Sequence, residues 1–355
     1  MYSGYETLVK ELSERLVKKG HFVRVYCHRS LFNEKPKNIN GIELVYTPSV
    51  ETKFLSQFIN SFFSFIHVCF SSIDVILVVN SANGPFGIFT KLFNKKTCIN
   101  VDGLEWLRPK WKGLGSIYFE IASKLATIFF DKIITDSYEM RNIYNQKFKK
   151  PSTVIAYGST MIKSNLKKDF LSFFDLKKYD YFLVVGRLIP DNNSELIING
   201  FLKSNSSKKL VIVGDVPYRD GYADNIKKTQ CHNIIFTGYI RCNKKLSSLY
   251  SNCYCYIHGH EFGGTNPTMI NALDFNCNII ALDTKFNREM LGSKEAIFFQ
   301  RKSNSLKNAI IKFQKENFKI LNTNSNHSLP KKYNWDFITE QYIEVFFEIT
   351  KNQSK

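Results

Sequence analysis

The feature that most constrains this chain is a repeated alternation of helical and strand-like hydrophobic runs, interrupted once by polar sequence. Tyr5, Leu8, Val9, Leu12, Leu16 and Val17 recur at helical spacing, Gly20 offers a left-handed stop, and Phe22 to Cys27 reads as a strand. The pattern predicts further strands near 42–47, 75–79, 97–101, 132–135 and 153–156, with helices near 52–71, 85–93, 113–130 and 137–148. Residues 160–178 are Lys- and Ser-rich, and a second series opens at Tyr181–Gly186, with strands expected at 210–213, 234–237, 254–258, 278–282 and 296–299. Alternation of this kind builds parallel sheets covered by helices on both faces. The expectation is an α/β protein of two doubly wound halves, residues 1–160 and 179–330, joined by a linker over 161–178. Trp335, Ile338, Tyr342, Val345, Phe346 and Ile349 share one helical face, so residues 331–355 are expected to pack back on the body. A length of 355 residues at 44% hydrophobic content is enough for two cores.

The formal charge of +18 speaks to partners, not fold, and fits nucleic acid, anionic lipid or an anionic substrate. Residues 1–160 hold 21 Lys and Arg against 13 Asp and Glu, so the excess is spread along the chain and forms no basic tail. No basic helix or aromatic platform supports nucleic-acid binding. Cysteines 27, 69, 98, 231, 242, 253, 255 and 277 form no Cys-x-x-Cys pair, and buried reduced thiols are the expectation. The start shows no basic-then-apolar leader, which places the protein in the cytoplasm. Phe54 to Ile73 carries no charge but includes Ser56, Gln57, Asn60, Ser61, Ser64 and His67, so it reads as a buried or membrane-facing helix of the domain and not a span. Together with the basic charge, it suggests peripheral contact with an anionic membrane surface.

The sharpest motif is His258-Gly259-His260-Glu261-Phe262-Gly263-Gly264-Thr265-Asn266-Pro267, directly after the strand at 254–257. Asn266 suits an N-cap and Pro267 a first helical turn, so a helix should run from there to about Phe275. Glycines ahead of a helix start let backbone N–H groups approach a phosphate, and the helix dipole favours its charge. Taken alone, this is equally a Gly-rich link between strand and helix. Arg187, after Gly186 at the carboxyl end of the second half's first strand, lies on the same sheet edge and has the fork geometry for two phosphate oxygens. Ligands of doubly wound sheets bind at strand carboxyl ends, so the cleft between two facing halves is the expected site. In the first half, Asp102 to Lys110 follows a strand and offers Asp102 to position a hydroxyl and Arg108 or Lys110 to meet a phosphate. His258 and His260 lack an Asp-x-Asp or a third ligand by spacing, so no metal is expected.

Tyr2-Ser3-Gly4-Tyr5-Glu6-Thr7, Val101-Asp102-Gly103-Leu104-Glu105-Trp106, Ile155-Ala156-Tyr157-Gly158 and the 258–267 stretch together resemble the family 4 retaining glycosyltransferases of GT-B fold, and within them a bacterial rhamnosyltransferase-like subgroup. The resemblance covers essentially the whole chain. It implies two Rossmann-like domains facing across a cleft, with the acceptor in the N-terminal half and the nucleotide sugar in the C-terminal half. It further implies dTDP-rhamnose as donor and a polyprenyl-diphosphate-linked saccharide as acceptor, in O-antigen or capsule synthesis, with a metal-independent mechanism and no cofactor. The residues it assigns are Asp102 and Arg187 for catalysis, Arg187, His260, Gly263, Gly264, Thr265, Asn266 and Asn271 for the donor, and Gly4, Glu105, Arg108 and Lys110 for the acceptor. Three departures stand out. The family's first strand is missing ahead of Met1, its phosphate-binding Lys falls on Asn192, and its ribose-binding Glu falls on Asn271. These departures keep two rivals in view, an inactive homologue acting as a binding scaffold and a nucleotide-sugar epimerase.

Overall fold

The computed structural model describes residues 4–50, 55–108, 111, 113–161, 169–216, 220–229, 231–292, 296–316 and 329–351. Contacts divide the chain into two compact units, Met1–Leu107 with Trp111–Tyr157 and Lys331–Lys355, and Arg108–Lys110 with Gly158–Pro330.

In the first unit α1 (Gly4–Lys18) turns at Gly20 into β1 (Arg24–His28), and β2 (Asn38–Ile39), β3 (Ile42–Thr47), α2 (Leu55–Cys69) and β4 (Val75–Val79) follow. A 3₁₀ turn leads to α3 (Gly87–Leu92), then β5 (Lys96–Asn100), α4 (Leu114–Phe129), β6 (Lys132–Thr135), α5 (Tyr138–Phe148) and β7 (Thr153–Val154). Two sheets result. One has the order β1-β3-β2 and the other β4-β5-β6-β7. All pairings are parallel except β2 with β3, a hairpin that the alternation rule did not anticipate. Buried parallel strands need apolar residues on both faces, which is why Cys98, Ile99, Ile133 and Ile134 are almost wholly enclosed. Gly84 lets the 3₁₀ turn lie against α4, because a Cβ there would sit 1.9 Å from the Ala122 carbonyl oxygen.

The second unit contains α6 (Asp169–Ser172), β8 (Tyr181–Val185), α7 (Ser194–Ser204), β9 (Lys209–Val213), α8 (Gly221–Lys227), β10 (Ile234–Gly238) and α9 (Asn243–Asn252). It continues with β11 (Cys255–His258), α10 (Pro267–Asp274), β12 (Ile279–Leu282), α11 (Lys285–Leu291), β13 (Ile297–Phe299) and α12 (Ser303–Lys315). Its six strands make one parallel sheet, β10-β9-β8-β11-β12-β13, whose order reverses at β8. A core of Phe182, Ile197, Phe201, Ile212, Ile257, Ile310 and Phe313 packs helices α7 and α12 against it.

The last helix, α13 (Trp335–Lys351), belongs to the first unit, where the Asn100 amide donates to the buried Tyr342 hydroxyl at 2.8 Å. Among the described residues, no helix is long and apolar enough to cross a membrane. Five of the eight cysteines are buried as expected, but Cys242 is exposed and Cys27 and Cys231 are half-buried.

Candidate functional site

In the second unit β8 ends at Val185, and the chain turns through Gly186 and Arg187 to a 3₁₀ turn at Pro190–Asn192. Asn192 joins this turn to the segment after β11. Its amide donates to the Arg187 carbonyl at 2.7 Å, and its Oδ1 meets His260 Nδ1 at 2.7 Å. The turn and the segment are fastened at further points. The Asn193 amide donates to the Gly259 carbonyl at 2.9 Å, and the Glu261 N–H donates to the Asp191 carbonyl at 3.0 Å, while Asn287 of α11 holds the segment from its other side by donating to the His260 carbonyl at 3.1 Å. Gly259 is required by this closeness, since a Cβ would lie 2.5 Å from the Asn192 carbonyl oxygen. The position where the wider family carries a lysine therefore holds a residue that shapes the loop.

Arg187 is exposed at this edge. Two more arginines join it. Arg108 belongs by its contacts to this unit and lies 3.8 Å from the buried Asp191, an ion pair enclosed on both sides. Arg301 donates to Asn193 Oδ1 at 3.2 Å and pairs with Glu261 at 3.3 Å. Arg301 was not foreseen, because its partners lie 108 residues or less along the chain but on separate loops, and no local motif marks it. Burial, then the Arg108 charge, His258 and Arg187 push His260 well below the ordinary imidazole range. His258 is 3% exposed, and burial lowers it to about 3. Both rings are neutral near pH 7, which suits a site whose positive charge comes from arginine.

Asn266 caps α10 as expected: its side chain accepts from Thr268 N at 3.0 Å, and Pro267 opens the helix. Its own N–H points to Met290 Sδ at 3.2 Å. Asn266 thus shapes the helix start through both its side chain and its backbone. Gly263 has φ of 117°, a conformation that glycine adopts without strain. Asn271, on the buried face of α10, accepts weakly from Ser159 Oγ at 3.4 Å. The same hydroxyl donates to Asp274 at 2.7 Å, so a carboxylate stands one helical turn from the amide.

In the first unit, three segments that are distant in sequence meet at Asp102. Tyr5 in the first turn of α1 donates to its carbonyl at 2.8 Å, and the Tyr157 hydroxyl donates to its Oδ2 at 3.1 Å. Burial and the Asp102 charge raise both phenols well above their ordinary range, which keeps them as donors. Gly4 lies beside Tyr5 at the start of α1. Glu105 accepts from the Trp111 indole at 2.6 Å, and Trp106 packs edge-on to Tyr144 and Phe148. Arg108 is 3.8 Å from Asp191 of the second unit, and Lys110 lies outside the described residues.

This architecture is that of the GT-B glycosyltransferases. It matches sucrose-phosphate synthase from Thermosynechococcus elongatus at 14% identity and a TM-score of 0.81, over 99% of this chain and 94% of that one. It matches HepE from Anabaena in complex with UDP and glucose at 14% identity and 0.74, over 98% of each chain. A glycosyltransferase from Rickettsia africae matches at 14% identity and 0.72, over 98% of this chain and 96% of that one. No curated protein matches by sequence. Residues 168–329 match the family of glycosyl transferases group 1, and residues 60–160 match a domain of unknown function, DUF1972. The group 1 match falls within the second unit, and the DUF1972 match falls mostly within the first.

The neutral histidines have a consequence for stability. The unfolded chain protonates His258 below about pH 6.5, whereas the folded chain resists until about 3, so stability falls as pH falls through that window. One such group costs about 1.4 kcal/mol at pH 5.5. Urea denaturation at pH 7.5 and 5.5 should show a loss smaller by roughly this amount in His258→Gln than in the unaltered protein. Equal losses would contradict the assignment.

Proposed function

We propose that this protein transfers a sugar from a nucleoside-diphosphate donor to a saccharide acceptor with retention of configuration. The observation that carries the reading is the fastening of Arg187 to the 258–261 segment by Asn192, beside the Asn266-capped start of α10. A guanidinium and a helix N-terminus on one sheet edge suit the two phosphates of the donor. As the glycosidic bond to the diphosphate breaks, negative charge grows on its oxygens. Arg187 and the amides of Gly263, Gly264 and Thr265 would stabilise that charge without a metal. His260, neutral and placed by Asn192, donates or accepts at a sugar hydroxyl. Asn271 and Asp274 form the polar face offered to the ribose. Asp102, held by Tyr5 and Tyr157, positions the acceptor hydroxyl, with Gly4 and Glu105 nearby.

The finer reading takes rhamnose from dTDP-rhamnose and a polyprenyl-diphosphate-linked saccharide as acceptor, in O-antigen or capsule synthesis. It rests on the four motif segments named above. UDP in complexes of HepE supports a nucleotide-sugar donor in general. Calorimetry with dTDP, UDP and GDP should show binding by at least one. Arg187→Ala should weaken it about 10- to 100-fold, the loss of one charge-assisted contact worth roughly 1.5–3 kcal/mol. Unchanged affinity in the variant would remove Arg187 from the site. Tight nucleotide binding without transfer from any donor to lipid-linked acceptors would favour a binding scaffold.

Peripheral membrane contact forms part of this proposal. Phe58, Phe62 and Phe63 of α2, Ile88 and Leu92 of α3, and Leu114, Ile117, Tyr118 and Ile121 of α4 are exposed on three helices that pack successively together. An apolar area of this extent marks an interaction surface, and Lys91 and Lys124 on the same helices suit anionic headgroups. Sedimentation with anionic vesicles should fall at least about threefold in Phe62→Ser with Ile121→Ser, and also in high salt. If the folded double variant binds as well as the parent, this surface is not the contact.

A further inference from the structure

Strand β11 ends on His258, and the hydrogen bonds around this ring leave only one order of donors. Asn266 Oδ1 accepts from the Thr268 N–H at 3.0 Å, and turning the carboxamide over would set its NH2 against that N–H, so the oxygen is fixed there. The Thr268 hydroxyl lies 2.8 Å from the same oxygen, which cannot donate, so Thr268 gives its proton to Asn266. The Tyr256 hydroxyl lies 2.9 Å from Thr268 Oγ1, whose proton is already committed, so Tyr256 donates to Thr268. That leaves the Tyr256 oxygen as an acceptor toward His258 Nδ1, 3.1 Å away. Nδ1 therefore carries the proton.

Burial holds His258 neutral, at about 3, so its other nitrogen, Nε2, is a bare lone pair. The residue is 3% exposed, and Nε2 has no hydrogen-bond partner among the described residues. A buried acceptor of this kind is almost always met by a donor. The lone pair lies on the side of the ring away from Tyr256. The His260 ring, which Asn192 ties to the Arg187 loop, is 6.2 Å from the His258 ring.

The character of Nε2 limits what it can meet. Phosphate oxygens and carboxylates are themselves acceptors, so neither suits it. No group of three or more His, Cys, Asp or Glu side chains among the described residues could hold a metal ion. A ligand ammonium would face the Arg108 and Arg187 charges that already act on His260. A neutral hydroxyl is the donor that fits.

We propose that His258 Nε2 accepts a hydrogen bond from a hydroxyl of the donor's sugar, so that His258 selects the sugar while Arg187 and the backbone amides hold the diphosphate. This assignment rests on the donor site proposed above. A fixed acceptor in an enclosed place favours a hydroxyl and disfavours a substituent that only accepts at the same position of the sugar ring.

The test uses the full chain with UDP, dTDP, UDP-glucose and dTDP-rhamnose, and with forms of each nucleotide sugar in which a single hydroxyl is replaced by fluorine, which cannot donate. His258→Asn sets an amide near the place of Nδ1, keeping a donor for Tyr256 and removing Nε2. His258→Gln sets its amide oxygen near the place of Nε2. Calorimetry should show nucleotide bound alike by the unaltered protein and both variants. The matching nucleotide sugar should bind about tenfold more weakly to His258→Asn and recover to within about threefold in His258→Gln. One fluorinated donor should bind the unaltered protein about tenfold more weakly than its hydroxyl parent, with no such loss in His258→Asn. If nucleotide and nucleotide sugar weaken together in His258→Asn, the ring shapes the loop or holds a water, and the assignment falls while the donor site stands. A fluorine penalty equal in the two proteins at every position overturns it in the same way. If the unaltered protein binds no nucleotide and no nucleotide sugar, the donor site itself is wrong and the assignment falls with it.

Discussion

The second unit's carboxyl edge depends on the two hydrogen bonds of Asn192. One end of its carboxamide holds the Arg187 carbonyl and the other holds His260. The turn after β8 and the segment after β11 are neighbours because those strands pair, but pairing alone leaves the loops beyond them free to diverge. Asn192, the Asn193–Gly259 bond and the Cβ-free surface of Gly259 draw them together. Once they are drawn together, burial keeps His258 and His260 neutral, and the arginines supply the positive charge. A lysine at position 192 would add charge and could only donate, whereas the carboxamide of Asn192 offers a donor to Arg187 and an acceptor to His260.

The first unit is organised around a carboxylate. Asp102 ends up between Tyr5 and Tyr157, from segments 97 and 55 residues away, and both phenols stay protonated as donors. Helix α13 reaches the same unit from the far end of the chain through Asn100 and Tyr342. The surface ion pairs Arg15–Asp336, Lys19–Glu340 and Lys132–Glu348 fall along this helix, but exposed pairs contribute little. The buried face of α13, with Trp335, Ile338 and Val345, does most of the holding.

Much of the fold was legible because buried parallel strands are continuous apolar runs and because Asn266-Pro267 is a strong helix start. Tyr181–Val185 and Cys255–His258 fall within a residue of their predicted bounds. The β2–β3 hairpin escaped because its two-residue strand has no periodicity to read. At the site, the motif residues could be found but their partners could not. The pairing of Arg108 with Asp191 has no local signature, and Arg301 and Asp274 carry no motif at all. Asn192 looked like a missing lysine until its two bonds were visible. Such pairings are set by strand order and loop closure, which local sequence does not encode.

The proposed nucleoside-diphosphate site lies at the carboxyl edge of the second unit's sheet. Backbone hydrogen exchange of the whole protein, with and without saturating dTDP or UDP, tests it directly. Slowed exchange is expected over 186–193 and 262–270, with the glycine-rich amides most protected, and little change over 102–107 from nucleotide alone. Protection confined to other segments, with these two unchanged under saturating nucleotide, would contradict it.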